Sequence, residues 1–295
     1  MKGKLMTLAA CALVAAAAFS LLVSAGCSQG KPTALILATT TSVQDSGLLN
    51  KLLPTFDKQY NHKTKAIAVG SGEAIEMGEK GNADVVMAHS PAQEEAFVKA
   101  GFGFERVQVM YNYFVIIGPA SDPAAIKGDK SAVDTFKRIA AAGEAGKAIF
   151  VSRGDASGTN TAELDFWKKA GIAPQGKPWY VVTGQGMGPT LTITNQKQAY
   201  TLTDKATYVT MEGTINLPIL VQGDPALINL YSVEVVNPAK FPHLKINTKG
   251  AEDFVQFLTS KQGQAMIGAD KVKGFVLFQP DAKGETRGTG NQKQQ

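Results

Sequence analysis

The stretch TALILATTTSVQDSGLLNKLLPTFDKQ, residues 33–59, decides how the chain is read. Its apolar start, TALIL, has the length and composition of a buried strand. The run stops at four hydroxyl residues, Thr39, Thr40, Thr41 and Ser42. Ser46 and Gly47 then read as a helix start. Beyond them Leu48/Leu49, Leu52/Leu53 and Phe56 recur at four-residue steps and form one apolar stripe, with Pro54 expected to kink the helix. Strand, polar turn and helix together open a βαβ unit, so an α/β sheet covered by helices is predicted.

The same rhythm continues through KAIAVG, GEAIEMGEKG, DVVMAH, PAQEEAFVKAG and YNYFVIIG. GPASDPAAIKGDK then reads as a boundary loop. A second round follows: SAVDTFKRIAAAG, AIFVS, NTAELDFWKKAG, WYVV and PTLTITNQKQAYTL. The strand-like YSVEVVNP leads to the helix AEDFVQFLTSKQGQAMIG, which could pack on either half. No internal repeat is seen, and the polar tail at 286–295 is expected to be disordered.

Residues 1–27 carry Lys2 and Lys4, an alanine-rich apolar region and Ser24-Ala25-Gly26-Cys27, the pattern of a cleaved secretory leader. Ala25-Gly26-Cys27 resembles a bacterial lipobox, in which Cys27 would be acylated; Ser24 stands where that pattern has Leu, so plain secretion stays open. Cys11 and Cys27 are the only cysteines, so a cleaved chain has no thiol for a disulfide, a thiolate metal site or a nucleophile. Without Lys2 and Lys4 there are 28 basic and 25 acidic side chains, a net of +3. That is too small to indicate a nucleic-acid partner.

Three polar turns stand at helix starts. The first is TTTS, where a strand's carboxyl end meets the unpaired N–H groups and positive dipole end of a helix, a geometry that favours anions. N-capping would need only one of its hydroxyls. The second is VGSGEA, with Ser71 between Gly70 and Gly72; a capped turn explains it equally well. The third, VSRGDASGTN at 151–160, sets Arg153, one of four arginines, in a helix-opening loop with Ser157, Gly158 and Thr159. A guanidinium forks onto two oxygens of an oxyanion, unless Arg153 simply pairs with Asp155 on the surface. Spread over both halves, the three turns suggest one site between two lobes for a small tetrahedral dianion, with no metal and no cofactor required.

Enzyme motifs are missing. There is no G-x-x-x-x-G-K-[ST] loop and no G-x-S-x-G elbow. His62, His89 and His243 lack metal-ligand spacing and read as surface or packing residues. Trp167 and Trp179, with Phe114, Phe150 and Phe166, read as core or lobe-edge packing.

With these features in view, LATTTSVQDSGLL, VGSGEA, ADVVMAHSP, FVSRGDASGT and YTLTDKATY resemble the periplasmic tungstate-binding proteins of ABC uptake systems. The resemblance implies a type II periplasmic binding-protein fold: two α/β lobes joined by two crossover strands, placed near residues 113–118 and 231–236. Lobe one would be 33–117 plus 236–285, and lobe two 118–235. It further implies a ligand set of Thr40, Thr41, Ser42, Ser71, Arg153, Ser157 and Thr159. The expected protein is a monomer outside the cytoplasmic membrane, lipid-anchored through Cys27, that passes tungstate or molybdate to an ABC permease. YTLTDKATY could lie near the cleft. Arg-x-Asp-x-Ser-Gly-Thr also looks like a loop of phosphate-binding relatives, where the carboxylate accepts the proton of hydrogen phosphate. Phosphate or sulfate is therefore the alternative ligand.

Overall fold

In a computed structural model describing residues 31–283, TALILATT forms strand β1 (Thr33–Thr40). Its Leu35 and Leu37 are buried in one core and Ala38 in another, as expected of a strand covered on both faces. The leader, Cys27 and the tail at 286–295 lie outside the described residues. The chain from Thr33 onward forms one compact unit; of the other unit, Met1–Pro32, only Lys31 and Pro32 are described.

The first helix begins earlier than the sequence suggests. Thr40 caps a short helix, α1 (Thr41–Asp45), and Gly47, with φ 79°, bends the chain into α2 (Leu48–Tyr60). Gly suits that left-handed position because it has no Cβ to clash. Leu48, Leu49, Leu52 and Phe56 form the buried stripe of α2, while Pro54 lies on its exposed side and the helix continues past it.

β2 (His62–Val69) runs parallel to β1 along its whole length. After α3 (Ser71–Glu79) comes β3 (Val85–Ala88), parallel to β1 on its other side, then α4 (Pro91–Lys99) and the long β4 (Val107–Ile117). The second round comprises α5 (Ala132–Glu144), β5 (Phe150–Ser152), α6 (Gly158–Lys169), β6 (Tyr180–Val182), α7 (Met187–Lys197), β7 (Thr201–Asp204), α8 (Lys205–Met211) and β8 (Ile219–Val221). β9 (Ile228–Val235) returns antiparallel to both β3 and β4, and α9 (Thr248–Thr259) and α10 (Lys261–Gly268) follow.

β4 carries the architecture because it changes partners along its length. Residues 107–113 pair with β9, whereas residues 114–117 pair with β7 and 116–117 also with β8. The main path of the sheet runs from the terminal strand Gln279–Pro280 through β4, β9, β3 and β1 to β2. β5 and β6 form a separate parallel pair. One large core holds Leu35, Leu52, Phe56, Tyr231, Phe254 and Phe257, so α9 packs with the first round. Another holds Ile116, Phe136, Phe150, Trp167, Trp179 and Tyr200. Each such side chain contributes roughly 1.5–3 kcal/mol through burial.

Residues 232–235 already pair with β3, and Tyr231 is in the first core while Leu227 is in the second. β9 thus starts beside Leu227 of the second core and carries Tyr231, Val233 and Val235 of the first. The alternation of inward Tyr231, Val233 and Val235 belongs to an ordinary sheet strand. Ala206 and Val209 of α8, from the second round, also pack into the first core.

Candidate functional site

The three polar turns meet. Thr40 sits in extended backbone at the end of β1, and its Oγ1 accepts from the Val43 N–H at 3.5 Å. Thr41 Oγ1 accepts from Arg153 Nη2 at 3.3 Å, which ties the first turn to the third across 112 residues of chain. The second turn reaches the same loop through its backbone: the Gly72 N–H donates to the Ala156 carbonyl at 3.3 Å. A Cβ on Gly70 would lie 3.1 Å from the Asp155 carbonyl oxygen, and one on Gly72 2.9 Å from that of Ala156. These glycines are required by close approach. Ser71 Oγ accepts from the His89 N–H at 3.4 Å.

Arg153 leaves β5 and is 2% exposed. Its Nη2 also donates to Asp155 Oδ2 at 2.5 Å, so the Asp155 pair foreseen from the sequence does form, but in the interior and not on the surface. Gly154 at φ 63° and Ala156 at φ 54° turn the loop, and Ser157 caps α6 by accepting from the Asn160 N–H at 3.2 Å. A capping hydroxyl that accepts an N–H keeps its own proton to donate, so capping by Thr40 and Ser157 orients these groups without using them up.

Several buried donors have no protein partner: Arg153 Nε and Nη1 and the hydroxyls of Thr39 and Thr159; the Ser42 hydroxyl makes no well-formed hydrogen bond and lies near the Asp204 carboxyl. A buried donor left unpaired costs about 1–3 kcal/mol, more when charged. Donors concentrated in turns one and three suit an acceptor with several oxygens and full negative charge. Among the described residues, no group of three or more His, Cys, Asp or Glu side chains comes together as a metal ion would need.

Two further residues neighbour the turns: His89, expected to be a surface or packing residue, and Asp204, in the stretch expected near the cleft. His89 is buried with its ring stacked on Tyr231, centroids 4.7 Å apart, and its Nδ1 lies 2.9 Å from Asn229 Oδ1. Burial first, and then the Arg153 charge, push its pKa down to about 4, so the ring is neutral at pH 7. Gly158 lies against it: a Cβ there would come 2.3 Å from the His89 carbonyl oxygen. The signal available was position, since His89 follows a strand end just as the other turns do. Asp204, in the YTLTDKATY stretch, is buried and caps α8 by accepting from Thr207 N at 2.9 Å and Thr207 Oγ1 at 2.8 Å. Burial raises its pKa; the Thr207 donors, Arg153 and Ser42 oppose the rise. Asp45 is also raised, by burial and then by Asp204, with Arg153 opposing. Trp167, Trp179, Phe114, Phe150 and Phe166 are all in the second core.

The PBP superfamily domain model matches residues 28–262. The tungstate-binding protein TupA of Peptoclostridium acidaminophilum is 44% identical over 252 residues, covering 84% of this chain and 86% of the relative. The crystal structure of the tungstate ABC transporter from Geobacter sulfurreducens is 48% identical, with a TM-score of 0.70 over 79% of this chain and 97% of that one. The tungstate-binding protein TupA from Desulfovibrio alaskensis G20 is 44% identical, with a TM-score of 0.71 over 85% of this chain and 100% of that one. The chain thus has the PBP-like mixed α/β fold and belongs to the PBP superfamily, within the family of the tungstate-binding proteins TupA.

Proposed function

We propose that this protein is the solute-binding component of an ABC uptake system and that it captures tungstate, with molybdate as a second ligand of the same size, charge and shape. The observation that carries the reading is Arg153: a guanidinium 2% exposed, with Nε and Nη1 unpartnered, in a loop that touches both other turns. The ligand set is Thr40, Thr41, Ser42, Ser71, Arg153, Ser157 and Thr159, with Thr39 added because its buried hydroxyl is unpartnered.

Asp155 Oδ2 accepts from Arg153 and its Oδ1 from the Ser157 N–H at 3.3 Å, which ties the carboxylate into the loop beside the guanidinium. Each charge-assisted contact contributes about 1.5–3 kcal/mol, and five of them reach the ~12 kcal/mol scale of nanomolar binding before association costs. We further propose two lobes divided at 117–118 and near 227–228, closing on the ion as hinged domains do. The monomeric chain is anchored outside the membrane through an acylated Cys27; Ala25-Gly26-Cys27 after an apolar leader supports the anchor. Among the described residues no helix is long and apolar enough to cross a membrane.

Isothermal titration calorimetry of the purified mature protein with tungstate, molybdate, sulfate and phosphate tests the reading. Nanomolar binding of tungstate with sulfate and phosphate at least a hundredfold weaker is expected. Phosphate or sulfate binding more tightly than tungstate would overturn it.

A further inference from the structure

Glu163, on the second turn of α6, is 2% exposed and belongs to neither the proposed ligand set nor any ion pair. Its two carboxylate oxygens face different parts of the molecule. Oε1 accepts from two core aromatics, Trp167 Nε1 at 2.8 Å and Tyr180 Oη at 2.7 Å. Oε2 accepts from two residues that bracket the Arg153 loop, Ser152 Oγ at 2.5 Å and Asn160 Nδ2 at 3.3 Å. Ser152 is the last residue of β5 and immediately precedes Arg153. Asn160 works the other end: its N–H donates to Ser157 Oγ at 3.2 Å, and its Oδ1 accepts from the Ala156 N–H at 3.2 Å.

From this geometry we infer that Glu163 is a positioning residue for oxyanion binding, fixing both ends of loop 153–159 to the second core so that Arg153 and Thr159 point their donors at the ligand. The inference rests on the oxyanion reading above and deepens it. Loop 153–159 needs such support. Ala156 holds a left-handed φ of 54°, a conformation that costs a residue with a Cβ about 1–2 kcal/mol and persists only where neighbours enforce it. The Asn160 Oδ1 bond to Ala156 enforces it, and Glu163 holds the Asn160 amide in the orientation that makes that bond. Burying a carboxylate is otherwise unfavourable. Four donors on one carboxylate offset that cost and lock its rotamer.

The test is calorimetry with sodium tungstate on Glu163→Gln, Arg153→Ala and the double variant. Gln presents an amide N–H₂ to a site built of donors, so the loop loses one of its two ties. Glu163→Gln should weaken tungstate binding by roughly 10- to 100-fold, the range seen when hydrogen-bond partners that orient metal ligands are removed. In the Arg153→Ala background the same change should cost a clearly smaller factor than in wild type, because only Thr159 is left for it to position. Wild-type affinity in Glu163→Gln, or equal losses in both backgrounds, would overturn the inference, since a purely structural role gives additive effects. If Glu163→Gln does not fold, Ser152→Ala and Tyr180→Phe take its place. Loss of the loop-side donor should weaken binding by about fivefold or more, and loss of the core-side donor should lower the melting temperature with less than about twofold change in affinity. Equal affinity losses in those two variants would sink the proposal. A wild type that binds none of the four oxyanions defeats the function reading and this inference together; a wild type that binds, with Glu163 variants unaffected, defeats this inference alone.

Discussion

The side chains of Arg153 and Arg106 are both buried, both held by a carboxylate, and each keeps at least one nitrogen without a partner. They differ in what surrounds them. Beside Arg153 the unpartnered atoms are donors: its own Nε and Nη1, with the hydroxyls of Ser42 and Thr159 in the turns it joins. Beside Arg106, apart from its own Nη2 and the Ser90 hydroxyl, they are the carboxyl acceptors of Glu234. Arg106 Nε donates to Glu94 Oε2 at 2.6 Å, Glu94 Oε1 accepts from the Ser90 N–H at 2.5 Å, and Ser232 Oγ donates to Glu94 as well. Next to them Glu234 is buried with neither carboxyl oxygen partnered. Donors left over call for an anion, whereas acceptors left over call for a proton. A buried arginine is therefore not by itself an anion site; the sign of the polar atoms around it decides.

The strongest way to break this comparison is to remove each guanidinium in turn. Arg153→Ala deletes charge-assisted contacts and should weaken tungstate binding by about 10³-fold or more, with a much smaller effect on folding. Arg106→Ala should do the reverse. It leaves Glu94 without its counter-charge and should cost roughly 3–5 kcal/mol of stability, while the folded fraction still binds tungstate within a few-fold of wild type. Calorimetry paired with urea unfolding reads both effects. Equal affinity losses in the two variants would mean that the sign of the leftover atoms does not mark the site.

The second probe is pH. Burial, and then the neighbouring Glu94, raise the pKa of Glu234 well above the ordinary value of 4.5, so the native state holds a proton that the unfolded chain gives up. Stability from this group is full below pH 4.5 and declines as pH rises through the folded-state value. His89 has the opposite sign. Its pKa is pushed down to about 4, so between about pH 6.5 and 4 the unfolded state takes a proton that the native state refuses. Stability should fall by on the order of 3 kcal/mol across that window as pH is lowered. In wild type the two slopes oppose each other. Glu234→Gln removes one, so the advantage of the variant over wild type in urea melts should grow steadily from pH 4.5 upward. A difference that does not vary with pH would show that Glu234 is ionised in the native protein.

How much of this was legible beforehand follows from the range of the interactions. The strand, hydroxyl turn and helical stripe of residues 33–56 are local, and periodicity exposed them. Arg153 stood out because it is scarce among lysines and lies in a helix-opening loop. His89 and Glu234 did not. What lowers the His89 pKa is burial and then Arg153, and what raises that of Glu234 is burial and then Glu94, partners separated by 64 residues or more. The early start of α1 was hidden for another reason: Thr40, Thr41 and Ser42 are equally good caps, and only the backbone shows that Thr40 takes the role. The pairing of residues 232–235 with β3 was hidden because they read as any buried strand, and the partner is invisible without the fold.

The smallest expected effect divides the hydroxyls among themselves. Ser42 and Thr159 carry unpartnered Oγ atoms and hold no helix end in place, so Ser42→Ala and Thr159→Ala should each weaken tungstate binding by about tenfold with little change in stability. Thr40 and Ser157 serve as caps as well as donors. Thr40→Ala and Ser157→Ala should lose comparable affinity and in addition about 1 kcal/mol of stability, the usual cost of deleting an N-cap. Ser157 gives the cleaner reading, since α6 is a full-length helix whose start positions Thr159, whereas Thr40 caps only the five-residue α1. Should Ser157→Ala lower the melting temperature and leave affinity untouched, its hydroxyl is a cap alone, and the donors on this loop reduce to Arg153, Thr159 and the backbone N–H groups at the start of α6.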